Sequence, residues 1–131
     1  MLPRRVLVVE DDEAIRRSLM DCLGCRAHLE VEGARDGVDA LHHVLTGRFD
    51  VVVLDMMMPK MSGGDFLDSL KAMISDPSLN FQGSAPVIIV VTAAPADDLP
   101  SAAIQQRFPE AIRSVLRKPV DFEELIRVVG R

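Results

Sequence analysis

Three stretches of this chain, Val6–Val9, Asp50–Leu54 and Pro86–Val91, carry unbroken aliphatic runs, VLVV, VVVL and VIIVV. A strand with one wet face alternates apolar and polar residues, so an unbroken run marks a strand covered on both faces. Between these runs the periodicity switches to that of a helix. Asp12–Leu23 sets Ile15, Leu19, Cys22 and Leu23 on one stripe. Asp36–Thr46 does so with Val38, Leu41 and Leu45, stopping at Gly47 as a C′ residue. A helix from Ser62 or Gly63 to Ile74 aligns Phe66, Leu67, Leu70, Met73 and Ile74. Asp121–Val129 turns Phe122, Leu125, Ile126 and Val129 inward behind Asp121 as N-cap. His28–Val31 is a weaker strand candidate and Ile112–Leu116 a shorter one. Strands alternating with helices imply right-handed crossovers and a parallel sheet covered on both sides, an α/β architecture. Two stretches are irregular. Ser75–Ala85 is a polar, Pro- and Gly-containing loop, and Pro95 and Pro100 shorten or delay the helix expected in Ala93–Phe108.

A length of 131 residues, with no repeat and no linker, predicts a single domain over 1–131. The net charge of −5 and an aromatic content of 4%, without Trp or Tyr, leave neither a basic footprint nor stacking material for direct nucleic-acid binding. Arg4, Arg5, Arg16 and Arg17 read as solvated charges. No run approaches the ~18 apolar residues of a membrane span, so the expectation is a soluble, cytoplasmic protein. Cys22 and Cys25 form a C-x-x-C at the end of a helix, where the helix dipole does not lower a thiol pKa. Zinc would enlist His28 but finds no evident fourth ligand, so both read as ordinary buried or half-buried thiols.

The chemistry-bearing residues share one address, the C-terminal ends of the strands. Glu10, Asp11 and Asp12 follow VLVV, Asp55 follows VVVL, Thr92 follows VIIVV, and Lys118 lies just past SVLR. Ligands of open parallel sheets bind at that rim. Carboxylates brought together there repel one another and retain protons unless a cation sits among them. Oxygen ligands suit Mg2+ or Mn2+, not zinc. A hydroxyl and an ammonium beside them complement the oxygens of a phosphoryl group. Taken singly, Asp12 can be a helix cap, Thr92 a strand residue and Lys118 a loop charge; it is their common address that carries the signal.

The acid cluster, the D-x3-P-x3-G of Asp55, Pro59 and Gly63, the Thr92–Ala93 pair and the Lys118–Pro119 pair, in this order, resemble the receiver domain of two-component response regulators from about Arg4 to Val129. The resemblance implies a flavodoxin-like (βα)5 doubly wound parallel sheet in strand order 2-1-3-4-5. It implies Asp55 as phosphoacceptor, with Asp11, Asp55 and the backbone carbonyl of Met57 ligating the metal and Glu10 acting through water. Thr92, Lys118 and the N–H groups of Met56 and Ala93 would meet the phosphoryl oxygens. The implied partners are a sensor histidine kinase or His-phosphotransfer protein, a downstream protein or output domain, and a second copy on phosphorylation. No turnover on an external substrate is expected of such a phosphoacceptor.

The chain departs from that family in three respects. Val115 stands three before Lys118, where an aromatic usually couples the Thr to the output face; the Ala93–Phe108 segment, with Phe108, is the alternative moving part. The Asp55–Thr92 and Thr92–Lys118 gaps are longer than in compact receivers, the extra residues falling in the two irregular stretches. Met57 and Ala94, two past Asp55 and Thr92, cannot orient a hydrolysing water, which predicts a long-lived phosphoryl group. Two rival readings are a receiver-like interaction module independent of phosphorylation and an Asp-nucleophile phosphohydrolase. Met57 stands where the hydrolase would carry its second Asp.

Overall fold

The computed structural model describes residues 2–79 and 85–130. In chain order the elements are β1 (Arg4–Val9), α1 (Glu13–Gly24), β2 (Leu29–Ala34), α2 (Gly37–Thr46), β3 (Val51–Asp55) and α3 (Gly63–Ser75). A 3-10 turn, Pro77–Leu79, precedes β4 (Val87–Thr92), α4 (Ser101–Gln105), β5 (Ile112–Arg117) and α5 (Phe122–Val129). The strands form one parallel sheet in the order β2-β1-β3-β4-β5, the expected flavodoxin-like arrangement. No helix among the described residues is long and apolar enough to cross a membrane.

Period-two geometry explains the unbroken aliphatic runs. Along β1, Leu7 and Val9 enter the core on one side of the sheet, with Phe66, Leu67 and Leu70 of α3 and Ala40 and Val44 of α2. Val6 and Val8 point to the other side, against Leu19 and Leu23 of α1 and Leu125, Val128 and Val129 of α5. Each such side chain contributes about 1.5–3 kcal/mol on burial, so no position of the run tolerates a polar residue. Helix starts follow their capping chemistry. Asp12, Asp36, Ser62 and Asp121 each accept a backbone N–H from the first turn of α1, α2, α3 and α5.

Several faces differ from the expected ones. In α2 the buried set is Gly37, Ala40 and Val44, while Val38 and Leu45 are 57% and 53% exposed. Residues 38 and 45 stand one position, about 100°, round the helix from 37 and 44. The rotation is set by close packing of Gly37 on Met61, whose side chain would lie 2.7 Å from an added Cβ. Gly47 ends α2 in extended rather than left-handed backbone, donating its N–H to the His43 carbonyl. In α5, Val128 is buried and Phe122 is 44% exposed, lining a surface groove instead of the core. β2 continues to Ala34 because its register with β1 holds from Arg4–Leu29 to Val9–Ala34. α4 has only five residues and no side-chain cap, the shortening that Pro95 and Pro100 foretell. Of the Ser75–Ala85 loop, residues 80–84 lie outside the described residues.

The arginines are less solvated than expected. Arg5 pairs with Glu32, donates to the Arg48 carbonyl and lies 4.7 Å from the centre of the Phe49 ring. Arg16 donates to the Glu10 carbonyl at 2.9 Å, whereas Arg17 makes only an exposed pair with Glu13. Cys22 is half-buried, with its thiol pushed up by burial, and Cys25 is exposed, not buried. Both cysteines are free.

One glycine governs how β3 passes into α3. An added Cβ at Gly63 would lie 2.6 Å from the Asp55 carbonyl oxygen and 2.7 Å from Met56 Cα, and backbone atoms cannot step aside. The Gly63 N–H also donates to the Met56 carbonyl at 3.2 Å, docking the helix start on the strand end. At the next residue, Gly64, a Cβ would meet only the guanidinium end of Arg107, at 2.7 Å, and that side chain can swing away. Gly63→Ala should therefore lower unfolding stability by about 2–3 kcal/mol. Gly64→Ala should leave it unchanged or raise it by up to about 1 kcal/mol through helix propensity. Urea denaturation of the two variants checks the contrast, and equal losses would contradict the close approach at Gly63.

Candidate functional site

Because all five strands are parallel, their C-terminal ends share one rim, and the polar residues that follow each strand are gathered there. Glu10 leaves β1 at 1% exposure, its N–H donating to the Ala34 carbonyl. Its carboxylate accepts the Asp11 N–H at 3.1 Å through Oε2 and the Lys118 ammonium at 2.5 Å through Oε1. Asp55 ends β3 at 4% exposure, accepts the Met57 N–H at 3.1 Å through Oδ1, and has Lys118 Nζ 3.6 Å from Oδ2. Asp11 is exposed, yet one carboxylate oxygen from each of Glu10, Asp11 and Asp55 lies within 4.8 Å of the others. Among the described residues this is the one cluster of three or more His, Cys, Asp or Glu side chains able to hold a metal ion, and neither cysteine belongs to it.

The remaining site residues fall into place around these acids. Thr92 ends β4 fully buried, its hydroxyl oxygen accepting the Ala94 N–H at 3.1 Å. Its carbonyl accepts the Lys118 N–H at 2.8 Å, which fixes where the lysine leaves β5. The Lys118–Pro119 peptide is cis. Met57 is 60% exposed beside Asp55, and Ala93 is exposed beside Thr92. The Met56 N–H donates to the Val91 carbonyl across a long 3.4 Å. Asp12 stays out of the cluster and caps α1, donation coming from Ile15 N–H at 3.0 Å. The loop after Asp55 is tightly wound: Lys60 adopts φ 67°, and the Met61 N–H donates to the Pro59 carbonyl at 2.8 Å. Left-handed backbone is unfavourable for a residue with a Cβ; two residues on, Ser62 caps α3 by accepting the Asp65 N–H.

The electrostatics of the rim are unbalanced. Burial, reinforced by the neighbouring Asp55 carboxylate, holds the Glu10 carboxyl above the ordinary carboxylate range despite the Lys118 ammonium. Burial pulls the Lys118 ammonium the other way, but the hydrogen bond to Glu10 and the negative charges of Asp55 and Glu10 outweigh it, and its pKa is raised. Two buried carboxylates thus face one ammonium, and the excess negative charge favours a further cation or a proton. An all-oxygen donor set of this kind suits a hard divalent ion.

Two contributions escaped sequence reasoning. Arg16 holds the Glu10 carbonyl from the first turns of α1; its place one turn past the acid cluster is the signal that could have marked it. The other is an apolar groove of about 600 Å³ beside Lys118, lined by Ala14, Ile15, Leu19, Pro119, Val120 and Phe122. Ile15, 37% exposed on the supposed inner stripe of α1, is part of it.

Residues 6–130 match the family described as "Response regulator receiver domain". Among curated proteins, the chain is 36% identical over 121 residues to "Response regulator MprA" of Mycobacterium sp. (strain KMS), covering 89% of this chain and 52% of that protein. It is also 36% identical over 128 residues to "Response regulator MprA" of Mycobacterium leprae (strain TN), covering 93% and 56%. The chain spans about half the length of these relatives. Among solved structures, the chemotaxis protein CheY4 of Vibrio cholerae superposes with a TM-score of 0.76 at 28% identity, covering 98% of both chains. The response regulator receiver protein from Pseudomonas putida gives 0.77 at 25% identity, covering 99% of this chain and 98% of that one. By fold, by family match and by relatedness, this chain belongs to the response regulator receiver domains of two-component signalling.

Proposed function

We propose that Asp55 accepts a phosphoryl group from the phosphohistidine of a sensor histidine kinase or His-phosphotransfer protein, and that the modified chain changes its contacts with a downstream protein or output domain. The observation that carries this reading is the convergence of Glu10, Asp11 and Asp55 within 4.8 Å with Lys118 seated between two of them. Glu10, Asp11, Asp55 and the backbone carbonyl of Met57 would hold Mg2+ or Mn2+, an ion suited to this oxygen-rich, over-acidic set. Once bound, the ion would screen the attacking carboxylate from the anionic donor and withdraw charge from the phosphoryl oxygens.

The chain's own residues supply nucleophile and alignment. An Asp55 carboxylate oxygen bonds to phosphorus as the phosphorus–nitrogen bond breaks, the electron pair returning to the donor imidazole. The Met57 N–H fixes one Asp55 oxygen, leaving the other on the Lys118 side as the attacking atom. Lys118 then exchanges its carboxylate partner for the new phosphoryl oxygens, and the Thr92 hydroxyl and Ala93 N–H supply further donors. The single-domain reading and the absence of turnover on external substrates belong to the same proposal, as does pairing with a second copy after phosphorylation. Met57 has no proton to give or take where a phosphohydrolase needs an acid.

The groove beside Lys118 supports a protein donor. Its apolar lining, from Ile15 on α1 to Phe122 on α5, continues directly from the acid rim. An amphipathic donor helix can bury its apolar side there while presenting its histidine to Asp55.

Four outcomes are expected. Asp55→Asn should abolish Mg2+-dependent labelling by a kinase and by a small acyl phosphate alike; undiminished labelling elsewhere removes Asp55 from the role. Relief of the Glu10–Asp55 repulsion should at the same time raise the melting midpoint in chelator by about 3–8 °C, the equivalent of ~1 kcal/mol. Ile15→Asp and Phe122→Asp should slow transfer from a phosphohistidine protein about tenfold or more while leaving labelling by the acyl phosphate unchanged. Purified phosphoprotein should lose its label over minutes or longer, because neither Met57 nor Ala94 can orient water; loss within seconds would contradict this.

A further inference from the structure

The irregular stretch between β4 and α4 is bridged from one end to the other by a single side chain. Arg117, the last residue of β5, donates through Nη1 to the Ala94 carbonyl at 2.9 Å and through Nη2 to the Leu99 carbonyl at 2.7 Å and the Ser101 hydroxyl at 3.2 Å. One planar guanidinium therefore ties the start of the loop to the first residue of α4. That helix has five residues and no side-chain cap, too short to hold its own position. Ile104, 1% exposed, anchors its far end in the core. The near end is held by the Arg117 fork and by Leu99, part-buried against the same core.

Both ends of the strap lead back to the acid rim. Ala94 gives its carbonyl to Arg117 and its N–H to the Thr92 hydroxyl oxygen at 3.1 Å, so a rotation of that hydroxyl disturbs the same residue the guanidinium holds. Lys118 follows Arg117 in the chain and places its ammonium 2.5 Å from Glu10 and 3.6 Å from Asp55. Arg117 also pairs in register with Thr92 across β4 and β5. A change in charge at Asp55 that pulls on Thr92 or Lys118 therefore reaches the guanidinium by two short routes. By contrast, Val115, half-buried against the core, has no polar atom or ring with which to carry such a change.

We propose that Arg117 is the positioning residue that couples the state of Asp55 to the placement of α4, by strapping Ala94 to Leu99 and Ser101. The inference rests on the phosphoacceptor reading of Asp55. Coupling of this kind needs a part with two arrangements that the site can bias, and an uncapped single-turn helix on one fork of hydrogen bonds meets that need. Lysine cannot replace it, because one ammonium on a flexible stem does not present the rigid planar fork that bridges separated carbonyls.

The test is amide NMR of the full chain with Mg2+, before and after beryllofluoride as the phosphoryl mimic, in wild type, Arg117→Ala and Arg117→Lys. In wild type the signals of Asp55, Ala93, Ala94 and Lys118 should shift together with those of Leu99–Ile104. In both variants the site signals should still shift, with beryllofluoride affinity within about threefold of wild type, because no group facing the phosphoryl position is lost. The Leu99–Ile104 shifts should fall to a third or less. A merely structural loss would loosen α4 in both states without separating its response from that of the site. Retained Leu99–Ile104 shifts in the variants, or their absence in wild type beside shifted site signals, would overturn the strap. Unmoved site signals in wild type would instead overturn the phosphoacceptor reading and the strap with it. Should Arg117→Ala fail to fold, Arg117→Lys, which keeps the charge and the aliphatic stem, decides between the same outcomes.

Discussion

The placement of the Lys118 ammonium between Glu10 and Asp55 is the interaction on which the site depends. Two carboxylates at 1% and 4% exposure would be untenable side by side in an apolar rim without a buried counter-charge. Lys118 and Glu10 are 108 residues apart, and the lysine reaches the acids only when β5 lies beside β4 and β4 beside β3. The Lys118 N–H bond to the Thr92 carbonyl fixes the point of departure. The counter-charge thus arrives only with the completed sheet, and even then the balance falls one positive charge short. That shortfall suits the rim to a divalent ion, and an uncompensated buried charge is a local loss of stability.

How much of this was legible in the sequence depends on the range of the physics. Strands β1, β3 and β4 were readable because an unbroken aliphatic run carries its own explanation. The caps at Asp12 and Asp121 were equally local. The site was readable because a parallel sheet turns positions far apart in sequence into one rim, whatever the details of packing. The inward face of α2 was not, since Val38 and Leu45 offer as good a stripe as Ala40 and Val44. Met61, from a loop some twenty residues on, decided between them by packing on Gly37. Phe122 misled for a similar reason: its spacing fits the core, but α5 meets the sheet through Leu125, Val128 and Val129 and leaves the ring at the groove. Arginines are hardest to place, because a long stem lets Arg16 and Arg117 serve carbonyls that no periodicity names.

The rim divides into stiff and compliant parts. Asp55 closes a strand with every residue buried, and Gly63 locks the following helix against its end. Groups that must meet a reacting phosphorus in line benefit from such rigidity. Between Ala93 and Pro100, by contrast, most residues are exposed, and the helix that follows is a little over one turn long. Few buried contacts mean a low cost of rearrangement. The proposed chemistry would sit on the part of the molecule that resists movement, and the surface proposed to report it lies next door, on the part that does not.

Comparison of the two ends of the sheet shows why reactivity resides at one of them. At the N-terminal end, Arg5 pairs with Glu32, stacks on Phe49 and gives its N–H to the Asp50 carboxylate at 2.9 Å. Arg5 and Glu32 are only part-buried, so solvent screens their charges, and these contacts tie β1 to β2 and β3. At the C-terminal end the strands present a comparable set of charges, but Glu10 and Asp55 share one ammonium and Asp11 faces water. The raised Glu10 carboxyl is the sign of that difference. Two charged rims of the same sheet differ in burial: only the C-terminal one keeps a pair of carboxylates out of water around a single ammonium, an arrangement that suits a further cation.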